Sequence, residues 1–123
     1  MDLPGTSGDP AAGTHADADA VRAHLAELDG PVTLLAHSYG GVPATEAAGP
    51  NVRQLGYHWT RTSHRAGWRD IPSASIVCDD HRSLPGVIIE GGRVRVVRHL
   101  PGGHSPILAR PAELAAVVDE IAR

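Results

Sequence analysis

The chain has 123 residues, a formal net charge of -3 and a pI near 6.2, with 41% hydrophobic and 20% charged residues. That length sets the expectation of a single domain over residues 1–123 with a modest core, the composition excludes wholesale disorder, and the charge gives no pull toward nucleic acid or an anionic membrane. The single cysteine, Cys78, excludes an internal disulfide, and no apolar run approaches a membrane span or a signal-peptide core, so the expected location is cytoplasmic.

Residues 1–13 read as a loop, punctuated by Pro4-Gly5, Gly8-Asp9-Pro10 and Gly13. A helix is predicted from Thr14, with Asp17 three residues on as its capping partner. Ala18, Val21, Leu25 and Leu28 share one face, and Asp29-Gly30-Pro31 ends the helix. Val32–Ala36 is a short apolar run rich in strand formers, followed by a second helix over about Gly41–Ala48. Pro43 is tolerated there because it falls in the first turn.

Val52–Tyr57 reads as a strand of mixed polarity, residues 58–70 as a loop without periodicity, and Ser75–Cys78 as a short strand ending at Asp79-Asp80. Val87–Glu90 and Arg93–Val97, separated by Gly91-Gly92, predict a hairpin. After Pro101-Gly102-Gly103-His104 the chain closes with a helix from about Pro111, whose Leu114, Val117, Val118 and Ile121 form one stripe. Strands alternating with helices make the fold class α/β, a mainly parallel sheet with flanking helices.

Chemistry concentrates where the first strand ends. Ala36-His37-Ser38-Tyr39-Gly40 has the small-x-Ser-x-small pattern of a nucleophile elbow, a strained strand-to-helix turn that lifts a serine oxygen clear of the sheet. Ser38 would be the nucleophile and the backbone N–H of Tyr39 the oxyanion donor. A serine hydroxyl needs a base within hydrogen-bond reach, and His104, in a glycine-rich loop after a strand, can supply a flexible imidazole. The remaining histidines suit a metal poorly. His58, His64, His81 and His99 match no common zinc spacing and one cysteine gives no thiolate set, so no metal or other cofactor is expected.

The elbow, Asp2-Leu3-Pro4-Gly5 and Leu100-Pro101-Gly102-Gly103-His104-Ser105-Pro106 together resemble the α/β-hydrolase family. The resemblance looks nearest to its small esterases, methylesterases and hydroxynitrile lyases. It implies a Ser–Asp–His chain order of nucleophile, acid and base. The acid should follow the penultimate strand, a few residues before a Leu-Pro pair, here Leu84-Pro85. That position falls on Asp80 or on His81, with Asp79 adjacent, and Asp80 is the preferred orienting acid.

Against the family pattern, the chain resembles the C-terminal half of the domain. The first four strands are absent, and with them the loop giving the second oxyanion donor. Loss of one donor costs on the order of 100- to 1,000-fold in comparable hydrolases. No crossover helix fits between Cys78 and Val94, where Pro85, Gly86, Gly91 and Gly92 interrupt the chain. The implied function is hydrolysis of ester or related acyl bonds of a small molecule. The alternative is an inactive or truncated remnant acting as an interaction module. Either way Val32–Ala36 becomes a sheet edge, for a second copy or a partner chain to cover.

Overall fold

The fold was obtained as a computed structural model, which describes residues 1–9, 11–57, 67, 70–80 and 94–123. Four strands form one sheet in the order β1 (Val32–Ala36), β2 (Val52–Tyr57), β3 (Ser73–Cys78) and β4 (Val94–Leu100). All three pairings are parallel, and the helix Gly41–Ala47 is the crossover between β1 and β2. The third strand begins two residues before the predicted Ser75, and the fourth runs on to Leu100. Hydrogen bonding across the sheet carries both strands past their short apolar runs. The predicted Gly-Gly hairpin lies outside the described residues.

Register sorts the side chains onto two faces. Leu34 lies beside Leu55, and Leu55 beside Ser73, so these point one way. Leu35, Gly56 and Ala74 alternate with them and point the other way. On the first face, α1 (Thr14–Ala26) and α2 (Gly41–Ala47) bury Ala18, Val21, Leu25, Ala47 and Ala48 against Val52 and Leu55. On the second face, the closing helix packs Leu114, Val117, Val118 and Ile121 against Ala74, Ile76 and Leu100. Its predicted apolar stripe is therefore its packing surface. Two short helices complete that segment: α3 (Pro106–Ala109) leads directly into α4 (Pro111–Ala122).

The first helix departs from expectation at both ends. Its N-cap is Gly13, with no side-chain cap hydrogen bond, and Thr14 is already helical. Asp17 therefore turns inward and is fully buried. Leu28, predicted on the buried face, lies beyond the helix end and is exposed. The first helix also makes polar contacts, to α2 and to the turn before β2. His15 Nδ1 lies 2.7 Å from Oε1 of the buried Glu46, and Asn51 Nδ2 donates to the Leu25 carbonyl at 2.8 Å.

In the stretch read as a loop, Gly67 is buried against α2. A Cβ there would stand 2.6 Å from the Thr45 carbonyl oxygen, so only glycine fits. The Gly67 carbonyl accepts from the N–H groups of Asp70 and Ile71, which delivers the chain into β3. Of the histidines weighed for a metal, His58, His64 and His81 lie outside the described residues, and His99 Nδ1 sits 2.9 Å from Asp79 Oδ1. No helix among the described residues is long and apolar enough to cross a membrane.

Candidate active site

β1 is a fully extended run whose ladder with β2 ends at Ala36 opposite Tyr57. The backbone then turns sharply. His37 is extended, at φ -119° and ψ 133°, while Ser38 has φ 52° and opens a one-turn 3-10 helix, Ser38–Gly40, that runs into α2. Among the described residues Ser38 is the one non-glycine residue with positive φ. A non-glycine residue in that region costs about 1–3 kcal/mol and persists where its surroundings over-determine it. Here the ladder fixes the chain on one side, and the Gly40 N–H donates to the His37 carbonyl at 3.0 Å on the other.

The second half of the site comes from the end of β4. The loop after Leu100 turns at Gly102, where φ is 114°. Backbone hydrogen bonds join it to the end of β3: the Asp79 N–H donates to Leu100 O at 3.0 Å and the Asp80 N–H to Gly102 O at 3.1 Å. This aims the loop at β1. His104 Nε2 lies 2.9 Å from Ser38 Oγ. His37 holds the same loop, its Nε2–H donating to the His104 carbonyl at 2.6 Å with the two rings 4.8 Å apart. Because a carbonyl only accepts, that bond sets the proton on His37 Nε2.

The structure thus brings Ser38 and His104 together across 66 residues of sequence. It does not bring the Asp80 side chain to them. Asp80 is exposed and tied to the histidine loop through its backbone, and no hydrogen bond joins its carboxylate to His104. The adjacent carboxylate, Asp79, faces His99 instead. His81, the other position compatible with the acid, lies outside the described residues.

Tyr39 follows the nucleophile, and its N–H stands in the first turn of the 3-10 helix. Its ring is 45% exposed, yet its hydroxyl donates to Asp17 Oδ2 at 2.6 Å. That bond and partial burial raise the phenol above its ordinary pKa, with a smaller opposing effect from Thr14. The other Asp17 oxygen accepts the Gly5 N–H at 2.6 Å. The sequence pointed to Asp17 only as a surface acid at a helix start. Its spacing, four residues before Val21 and eight before Leu25, puts it on the buried face of α1, but nothing local named a polar partner inside.

An apolar cleft adjoins the site on the second face of the sheet, lined by Leu35, Ala36, His37, Ile76, Pro106, Ile107 and Leu114. Cys78, at the end of β3, is buried, and burial first, then the charge of Asp79, raises its thiol pKa and keeps it protonated.

A strained serine on a strand-to-helix turn thus faces a histidine from a distant loop. Residues 1–57 match the model of the alpha/beta hydrolase family. The match supports the α/β-hydrolase family for this chain. The matched residues include α1, β1, the Ser38 turn and β2, while His104 lies beyond them. No curated protein matches the chain.

Proposed function

We propose that this chain is a serine hydrolase acting on ester or related acyl bonds of a small molecule. The observation that supports it best is the 2.9 Å contact between Ser38 Oγ and His104 Nε2, with Ser38 held at a φ of 52°. In this reading the Ser38 oxygen attacks the acyl carbon while His104 Nε2 takes its proton. The carbonyl oxygen gains charge next to the Tyr39 N–H at the start of the turn. His104 then returns the proton to the leaving alcohol, and water hydrolyses the acyl-serine by the same path in reverse. Asp80 is the proposed orienting acid, carried on the backbone bond that joins it to Gly102. The cleft beside His37 suits an uncharged, apolar part of the substrate. Within the α/β-hydrolases, the branch of small esterases, methylesterases and hydroxynitrile lyases is the proposed placement.

A second reading is an inactive remnant serving as an interaction module. It is favoured by the edge position of β1 in the described sheet. A fluorophosphonate probe and p-nitrophenyl acetate turnover separate the two. The first reading expects covalent labelling and turnover that vanish in Ser38→Ala and fall steeply in His104→Ala. Folded chain that neither labels nor turns over the ester leaves the second. Comparing Asp80→Asn with Asp79→Asn then assigns the acid, since only the orienting carboxylate lowers kcat when neutralised.

A further inference from the structure

A buried carboxylate is costly to keep out of water unless its oxygens are matched by donors, and a core position is usually at least as stable with an apolar residue of similar volume. Asp17 is 0% exposed and stands on the face of α1 that otherwise carries Ala18, Val21 and Leu25. Its partners are neither arginine nor a helix end. One oxygen accepts the Gly5 N–H from the turn at Pro4–Thr6, and the other accepts the hydroxyl of Tyr39. Gly5 itself is fitted to this arrangement, because a Cβ there would stand 2.6 Å from Asp17 Oδ2.

The far end of this connection is the residue after Ser38. The strained turn is held upstream by the Ala36–Tyr57 pairing and by the bond from His37 to the histidine loop. Downstream, Tyr39 is 45% exposed and its hydroxyl is tied to the buried Asp17 at 2.6 Å, with Thr14 beside it. Resting on the serine-hydrolase reading, we propose that Asp17 is a positioning residue: through the Tyr39 hydroxyl it holds the residue that carries the oxyanion N–H, and so the attack geometry of Ser38. The Pro4–Thr6 turn supports Asp17 from behind through Gly5. None of these three residues needs to touch the substrate through its side chain.

Three variants of the full chain test this: Tyr39→Phe, which removes the hydroxyl that meets Asp17 and keeps the ring; Asp17→Asn; and Gly5→Ala, which crowds the carboxylate from a different element. The chain has two tyrosines, so a Tyr57→Phe background lets Tyr39 be titrated alone by ultraviolet absorbance. In that background Tyr39 is expected to ionise above the usual phenol range and to return toward it in Asp17→Asn. Fluorophosphonate labelling of Ser38 is expected to slow by about tenfold to a hundredfold in Tyr39→Phe, in line with displacement of an attacking group. Ester turnover should lose kcat with KM unchanged; thermal unfolding of Tyr39→Phe falls below that of the parent, because the buried Asp17 loses one of its two donors, while the variant stays folded at the assay temperature. Gly5→Ala should slow labelling in the same sense. A parent that labels, beside a Tyr39→Phe variant that labels within twofold of it, overturns the proposal and leaves the hydrolase reading standing. A folded parent that does not label at all overturns the hydrolase reading and takes the proposal with it. If Asp17→Asn does not fold, Tyr39→Phe alone decides.

Discussion

At Ser38 the demands of chemistry and of stability oppose each other. A φ of 52° is unfavourable for any residue with a Cβ, and glycine alone adopts it without that penalty. Relief of strain in Ser38→Gly is partly offset by the greater freedom of glycine in the unfolded chain. The variant is therefore expected to be as stable as the parent or up to about 1 kcal/mol more stable by urea unfolding, while losing all fluorophosphonate labelling. Tyr39 makes a second prediction at this scale. Its folded-state pKa is raised, chiefly by the Asp17 bond, so the protonated phenol is the form the fold favours. Its contribution to stability is fully present below the unfolded value near 10.0 and is lost as pH rises through the higher folded value. Urea midpoints measured from pH 8 to 11 should fall more steeply in the parent than in Tyr39→Phe, and parallel curves would contradict the assignment.

Among the elements, the helices follow their sequence periodicity because each has one face to bury. The stripe Leu114, Val117, Val118 and Ile121 packs on the sheet, and Ala18, Val21 and Leu25 do the same from the other side. The connection between β2 and β3 is set differently. Gly67 lies against the backbone of α2, and a methyl group there would meet the Thr45 carbonyl oxygen at 2.6 Å. Since the obstacle is backbone rather than a movable side chain, Gly67→Ala is expected to destabilise the chain by about 1–3 kcal/mol. The loss should be visible as a lower urea midpoint with an unchanged slope. A stretch with no periodicity thus contains a position that the fold holds tightly.

For the molecule as a whole, the strand that carries the nucleophile is at the edge of the described sheet, next to β2 alone. Val32–Ala36 has no charge, proline or glycine to discourage pairing, and Thr33 and Leu35 are exposed. An edge of this kind pairs with other strands, so the purified 123-residue chain is expected to be larger than a monomer by light scattering. Leu35→Lys, which places a charge on that edge and touches neither Ser38 nor His104, should shift it toward monomer. A monomeric parent at the same concentration would show that the edge is protected. Turnover by the isolated chain is expected to be weak, because the Tyr39 N–H is the one oxyanion donor proposed from these residues, and loss of a second donor costs on the order of 100- to 1,000-fold.

What the sequence determined by itself is local. Five apolar residues between Gly30-Pro31 and a serine flanked by Ala36 and Gly40 specify a strand that ends in a tight turn, whatever surrounds it. The parallel pairing of the first two strands also follows, because a helix between them leaves no short antiparallel route. Ser38 and His104 were both legible as candidates from their own neighbours. Their meeting was expected from the resemblance and not from those neighbours, and its geometry came from the tertiary structure. That depended on the register of β3 and β4, on Gly102 turning the loop, and on His37 gripping the His104 carbonyl. The burial of Asp17 was decided the same way. Locally it is an acid in the first turn of a helix, a position that suits the surface. Only the packing of α1 against α2 and the Tyr39 turn gives it two donors, and a carboxylate goes inside only where such donors are waiting.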